Sequence, residues 1–250
     1  MRPAEGFDLG GGQDVCLLLH GLSGSPAEVR PVGEALAKAG MRSVGLLLPG
    51  HGTRPEDLFA KTRFDLLEAA EDALRGLAGA RRTYLCGLSA GALLAIHLAA
   101  TVPGIRALAL LAPAVAFSHA TWLFTEVLGR LPVAPRVLLP KGARDVAAGD
   151  DREQVAQAYT AVPLSWGREL RLLAASARKL APQVRAPSLI LSGGRDRTVS
   201  VAGARRLALR LGSPKPVGMR VFPASGHLLP LDGDSREVCD EVVRFFSGGN

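Results

Sequence analysis

Six short runs in this 250-residue chain are apolar at nearly every position: 15–19, 43–48, 83–86, 105–111, 188–191 and 217–222. A strand with one wet face alternates polar and apolar residues, whereas a run without alternation is covered on both faces. Helical patterns separate the runs, which predicts an α/β fold with a mostly parallel sheet flanked by helices. Ser25-Pro26-Ala27-Glu28 reads as a capping box with proline at the first helical position, and Gly40 as that helix's stop. Asp65 with Glu68, and Asp234 with Glu237, read as two further helix starts, so Asp232 and Asp234 are expected as caps of the last helix.

The alternation breaks once. Some seventy residues with prolines at 132, 135, 140 and 163 separate the run ending near Val115 from the run opening at Ala186-Pro187. An excursion of this length is an inserted subdomain or a lid. Within it, Trp122, Leu123, Phe124, Val127, Leu128 and Leu131 recur at spacings that give a helix one wide apolar face. That face either packs on the domain or roofs the site. The charged, Gly/Ala-rich stretch 142–154 is expected to be a mobile loop.

Composition excludes several classes. Apolar content of 48% with 21% charged residues describes a globular chain of one-domain size. The formal charge is +7, but the arginines are mostly single and no basic stripe is interleaved with aromatics, so no nucleic-acid partner is expected. Cys16, Cys86 and Cys239 have no metal-like spacing, and Cys16 and Cys86 lie in apolar runs, which suits a reducing compartment. The N-terminus lacks the apolar core of a signal peptide, and the uncharged stretch 107–125 is interrupted by Pro113, Ser118, His119 and Thr121. A cytoplasmic protein without stable membrane insertion is expected, as a monomer or weak homodimer.

Chemistry concentrates where strands end. Gly87-Leu88-Ser89-Ala90-Gly91 follows one apolar run and opens the apolar segment 92–96. In a strand–turn–helix setting, G-x-S-x-G lifts a serine hydroxyl clear of the backbone and aims the next N–H, that of Ala90, at an attacked carbonyl oxygen. Asp196 follows the run 188–191, and His227 follows the run 217–222. The order Ser89, Asp196, His227 is that of an α/β-hydrolase triad. Each residue also has a plainer reading: Asp196 as a helix N-terminal acid, and His227 as a loop histidine. His20 and His51 are rival bases that also suit the holding of loop backbone. His97 and His119 read as structural or solvent-facing.

The chain resembles the α/β-hydrolase superfamily over essentially its whole length, and within it the compact bacterial carboxylesterases and monoacylglycerol lipases. The resemblance rests on His20-Gly21-Leu22-Ser23-Gly24, Leu48-Pro49-Gly50-His51-Gly52, the Gly87–Gly91 elbow, Gly194-Arg195-Asp196 with Val199, and Ser225-Gly226-His227. Leu22 stands where that family commonly has phenylalanine, and Ala90 where it commonly has methionine. The resemblance implies a core of residues 1–116 and 183–250, with a helical cap of residues 117–182 inserted after the sixth strand of the standard fold. It implies Ser89, His227 and Asp196 as the triad and the N–H groups of Leu22 and Ala90 as the oxyanion hole. Leu22, Leu123 and Phe124 would line the acyl site. The implied reaction is hydrolysis of short- to medium-chain acyl esters or monoacylglycerols, small molecules, with no metal and no cofactor. A thioesterase, an amidase, a C–C bond hydrolase or a non-catalytic ligand-binding protein on the same fold is the alternative. The short N-terminus leaves room for no more than one strand near residues 7–9.

Overall fold

A computed structural model describes residues 4–118, 137–140, 158–213 and 217–248. Its main sheet has seven strands in the order β1-β3-β2-β4-β5-β8-β9: β1 Phe7–Leu9, β2 Asp14–Leu19, β3 Arg42–Leu46, β4 Arg82–Leu88, β5 Ile105–Leu111, β8 Ser188–Gly193 and β9 Gly218–Phe222. Only β1 runs antiparallel to its neighbour, pairing Phe7 with Gly45 at the sheet edge; the other pairs are parallel. The expected strands are all present, the edge strand included. A separate two-stranded ladder pairs β6 Leu138–Pro140 with β7 Ala161–Pro163.

The helices are α1 Arg30–Lys38, α2 Arg63–Arg75, α3 Ala90–Thr101, α4 Ser165–Leu180, α5 Val201–Ala208 and α6 Ser235–Phe246. From β2 the chain passes through α1 to β3 on one side, and β4 then returns to the other side of β2. Right-handed crossovers in opposite directions put their helices on opposite faces. Accordingly α1 packs with α6, while α3 packs with α2 and α4. Helix α3 is apolar on nearly every side because β4, β5 and α4 enclose it, leaving Ala92 to Ile96 without exposure. The reversal of strand order between β2 and β4 opens a crevice beyond their carboxyl ends, which is where ligands bind in open α/β sheets.

Three local expectations are corrected. Ser25 makes no cap bond; a 3-10 turn, Pro26–Glu28, precedes α1, and the Glu28 carboxylate turns inward. Thr62, not Asp65, caps α2, with Asp65 closing the capping box from inside the helix. Asp234 stands at the N-cap of α6 without a side-chain cap bond. The span 117–182, expected as a cap, also divides. Its α4 buries Trp166, Leu173 and Ala177 in the core, and Trp166 Nε1 donates to Leu58 O at 2.9 Å. Arg63 pairs with Glu169 at 2.7 Å across the same contact. By its packing α4 is a core helix. Leu123, Phe124, His119 and the stretch 142–154 lie outside the described residues.

Candidate active site

Gly87 and Gly91 let strand and helix meet at the turn. A Cβ on Gly87 would sit 2.3 Å from Gly91 O, and one on Gly91 would sit 2.1 Å from Leu19 O. Ser89 between them has φ 55° and ψ −112°, a conformation L-residues rarely adopt. Such strain costs about 1–3 kcal/mol and persists only where the surroundings over-determine it. Here the Ser89 N–H donates to Leu111 O at 2.9 Å, and Ser89 O accepts from Ala92 N at 3.1 Å and Ala114 N at 3.3 Å. The result is a hydroxyl lifted off the end of β4, with the Ala90 N–H opening α3 beside it.

His227 Nε2 lies 2.9 Å from Ser89 Oγ, and its Nδ1 lies 2.8 Å from Asp196 Oδ2. An ionised carboxylate only accepts, so Nδ1 carries the proton and Nε2 accepts from the serine hydroxyl. The other Asp196 oxygen accepts from Thr198 N at 2.8 Å and Val199 N at 2.9 Å, and the side chain is 1% exposed. Both lone-pair sets of the carboxylate are thus fixed, which locks its orientation toward the ring. Sequence separations of 138 and 31 residues collapse to hydrogen-bond distance because three strand ends converge.

The loop after β2 approaches from the opposite side. Its Gly21 N–H donates to Glu28 Oε2 at 3.0 Å, its Ser23 N–H to His51 Nε2 at 3.1 Å, and its Gly24 N–H to Gly21 O at 3.2 Å. Among the described residues these bonds pass over the Leu22 N–H. Leu22 itself is half-buried against the core. His20, fully buried, accepts from Leu48 N–H at Nε2 (3.1 Å), and its Nδ1 lies 2.8 Å from Gly21 O. Burial, and then the neighbouring His51 ring 4.9 Å away, hold the His20 pKa well below its ordinary value. A neutral ring is what an Nε2 acceptor requires. Neither His20 nor His51 contacts Ser89 Oγ; both hold loop backbone.

The structure adds partners that local pattern reading assigned elsewhere. Glu28, read as half of a capping box, braces the loop after β2. Asp232, read as a cap, accepts from Gly226 N at 2.6 Å and Gly233 N at 2.8 Å, and Asp234 accepts from Ser225 Oγ at 2.6 Å, so both hold the His227 loop. Tyr159 was not singled out at all. Its N–H donates to Ser23 O at 2.7 Å, its hydroxyl donates to Gly50 O at 2.9 Å and accepts from Thr53 N at 3.1 Å, and its ring stacks on His51. No sequence signal marks it, because it lies outside every strand-end motif. Cys16, Cys86 and Cys239 are all buried free thiols, the Cys239 pKa being pushed up to about 11 by burial.

A mostly parallel sheet with this elbow and these strand-end loops defines an α/β-hydrolase. The family profile of serine aminopeptidases, S33 (Hydrolase_4), matches residues 12–234, and the chain belongs to that family. It is 38% identical over 103 residues to the thermostable monoacylglycerol lipase of Bacillus sp. (strain H-257), covering 41% of each chain. It is 34% identical over 99 residues to the carboxylesterase of Bacillus subtilis (strain 168), covering 39% of this chain and 40% of that one. The matched stretch is thus about two fifths of either relative's length. A solved structure from the work on LipS and LipT, two metagenome-derived lipolytic enzymes, superposes with a TM-score of 0.88 at 26% identity, covering 99% of both chains.

Proposed function

We propose that the chain is a serine hydrolase that cleaves carboxylic esters through an acyl-enzyme. The observation that carries this reading is the relay Ser89–His227–Asp196 on a strained elbow. Ser89 Oγ attacks the ester carbonyl carbon while its proton passes to His227 Nε2. The tetrahedral oxyanion takes hydrogen bonds from the Leu22 and Ala90 N–H groups, each contributing about 2.7–4 kcal/mol to the barrier reduction. As the C–O bond breaks, His227 returns the proton to the leaving alcohol, and the acyl group stays on Ser89. Water then attacks the acyl carbon, giving its proton to His227, and Ser89 leaves reprotonated. Asp196 holds the ring's tautomer and stabilises its charged form.

The named relatives, a monoacylglycerol lipase and a carboxylesterase, support carboxylic esters as the substrate class, and the proposed substrates within it are short- to medium-chain acyl esters or monoacylglycerols. The proposed acyl-site residues are Leu22, from the loop after β2, and Leu123 and Phe124, from a cap that ends before α4; the proposed location is the cytoplasm. The family's description names an aminopeptidase, and an aminopeptidase needs a carboxylate for the substrate's ammonium group. Among the described residues, the carboxylates nearest the relay are already engaged: Glu28 by Gly21 N–H, Asp232 by Gly226 N–H, and Asp196 by His227. The named relatives, a lipase and a carboxylesterase, favour the ester.

Ser89→Ala is the test. It should fold with an unchanged melting profile and lose p-nitrophenyl butyrate hydrolysis by several orders of magnitude. A fluorophosphonate should add its mass to Ser89 in the native chain alone. A variant retaining about a tenth of native activity would remove Ser89 from the mechanism. Faster turnover of an aminoacyl p-nitroanilide than of the butyrate would move the chain to amide chemistry.

A further inference from the structure

The positive charge of this chain is not spread over it. Residues 165–213 hold ten arginines and lysines against two carboxylates, Glu169 and Asp196, so this stretch alone exceeds the +7 of the whole chain. Both carboxylates are occupied, by Arg63 and by His227. Apart from Arg205-Arg206 the arginines stand singly along this stretch, yet α4 and α5 bring several to one surface. A groove of about 480 Å³ runs between these helices, with Val115 and Leu207 in its lining and Arg178, Arg206 and Arg210 around it. Arg185 reaches the segment after α5 by donating to Gly212 O at 3.3 Å. Arg205, Arg206 and Arg210 are exposed and form no ion pair among the described residues.

One apolar side chain stands in this field. Leu209, at the end of α5, is 88% exposed, the most exposed large hydrophobic among the described residues. It lies next to Arg210 in the turn that ends α5 and three residues after Arg206, and Arg206, Leu209 and Arg210 all border the same groove. A leucine left in water loses the stabilisation that burial would give it. We propose that the surface formed by α5 and the end of α4 docks on an anionic lipid bilayer, with Arg206 and Arg210 meeting headgroup phosphates and Leu209 entering the acyl boundary. Basic residues flanking an exposed apolar one are what a membrane interface recognises, because that surface offers negative charge and a hydrocarbon layer at adjacent depths. A nucleic acid offers only the charge; it leaves Leu209 in water, and among the described residues no exposed aromatic borders the groove for base stacking. The docking is peripheral, and among the described residues no helix is long and apolar enough to cross a membrane.

The test is co-sedimentation of the full chain with vesicles, read independently of catalysis. Vesicles rich in phosphatidylglycerol should retain the protein at low salt, and pure phosphatidylcholine should not. Each arginine near such a surface is worth about fivefold in binding, so Arg206→Gln with Arg210→Gln should weaken it on the order of 25-fold. Leu209→Ser should weaken it several-fold, and by the same factor at high salt, since its share is not electrostatic. None of these residues belongs to the catalytic relay, so melting temperature and Ser89 phosphonylation should stay at native values, which separates lost docking from lost folding. Equal binding to both lipids, or no loss in the double variant, would overturn the proposal. So would binding to DNA that the double variant loses and Leu209→Ser does not alter, because that assigns the patch to a nucleic acid.

Discussion

The loops on the two sides of Ser89 are braced by one device in two chemistries. In each, buried side-chain acceptors take the backbone N–H groups of a turn that has no strand to pair with. Before the elbow the acceptors are mostly neutral imidazoles: His51 for Ser23 N–H and His20 for Leu48 N–H, joined by Glu28 for Gly21 N–H. After it they are carboxylates: Asp196 for Thr198 and Val199, and Asp232 for Gly226 and Gly233. The difference follows what each loop carries. The first presents stationary N–H groups, and two of its three braces are neutral rings that add no negative charge where an oxyanion would form, Glu28 being the exception. The second carries a ring that turns cationic during the proposed reaction, and negative charge around it is favourable.

The largest effect should come from breaking the carboxylate side at Asp196. Asn at 196 has one oxygen, and the Thr198 and Val199 N–H groups claim it, because the amide NH₂ cannot accept from them. The NH₂ then faces His227 Nδ1, which has to become an acceptor, and the proton moves to Nε2. A ring protonated at Nε2 cannot take the Ser89 proton. A fall in kcat of about ten-thousand-fold is expected, with an unfolding midpoint close to native. A drop under tenfold would show that Asp196 only caps its own loop.

Asp232 should come next. Asp232→Asn keeps an acceptor but lowers the charge-assisted bond to Gly226 N–H to a neutral one, and Asp232→Ala leaves that N–H without it. Removing such a partner from a buried donor costs about 1–3 kcal/mol. The loss should show as a kcat decrease of roughly ten- to a hundredfold for alanine, a range also typical of supporting partners at metal sites, and less for asparagine. A role as helix cap alone predicts lower stability with kcat intact, so the split between the two measurements decides.

These two residues mark how far local sequence signals reach. The sheet was legible because strands covered on both faces carry apolar residues throughout, and the elbow because its two glycines sit where backbone passes backbone. Ser89, Asp196 and His227 were legible as a set because each follows a strand. Asp232 and Glu28 were misassigned by the same logic: an acid near a helix start reads as a cap, and burial toward a neighbouring loop is a tertiary fact. Tyr159 left no local trace, since its value comes from contacts with residues 23, 50 and 53, more than a hundred positions away. The gathering of arginines on α4 and α5 was hidden for a related reason: helical spacing scatters along the chain what packing brings together.

The imidazole side can be separated from the carboxylate side by pH. His20 is held neutral, its pKa well below the ordinary value, while in the unfolded chain it titrates near about 6.5. Below that pH the unfolded chain binds a proton that the folded chain refuses. The His20 contribution to stability is therefore complete above pH 6.5 and is lost as pH falls toward the folded value, with a slope of about 1.4 kcal/mol per pH unit. Urea unfolding between pH 5.5 and 7.5, above the carboxylate range, should show that slope in the native chain and a flatter one in His20→Asn. Equal slopes would place the titration elsewhere.

The smallest expected effect tests whether the first loop is held from the 117–182 span, through the buried Tyr159. Tyr159→Phe keeps the ring stacked on His51 and keeps the backbone N–H bond to Ser23 O. It removes the hydroxyl's bonds to Gly50 O and Thr53 N–H. Two partly buried groups then lose a partner, at about 1 kcal/mol for each bond, and nearby water recovers part of it. If the hydroxyl sets the His51 loop, and His51 in turn sets Ser23, the Leu22 N–H shifts with them. The expected signature is a kcat loss of about two- to fivefold for p-nitrophenyl butyrate with KM unchanged, because an oxyanion contact acts in the transition state rather than on the bound ester. The rate of Ser89 phosphonylation should fall by the same factor, since that reaction also develops charge on an oxygen in the same hole. A KM increase with kcat unchanged would instead put Tyr159 in the substrate wall. A stability loss with both constants at native values would make it a fastener of the loop at residues 50–53 alone, with no reach to the oxyanion side.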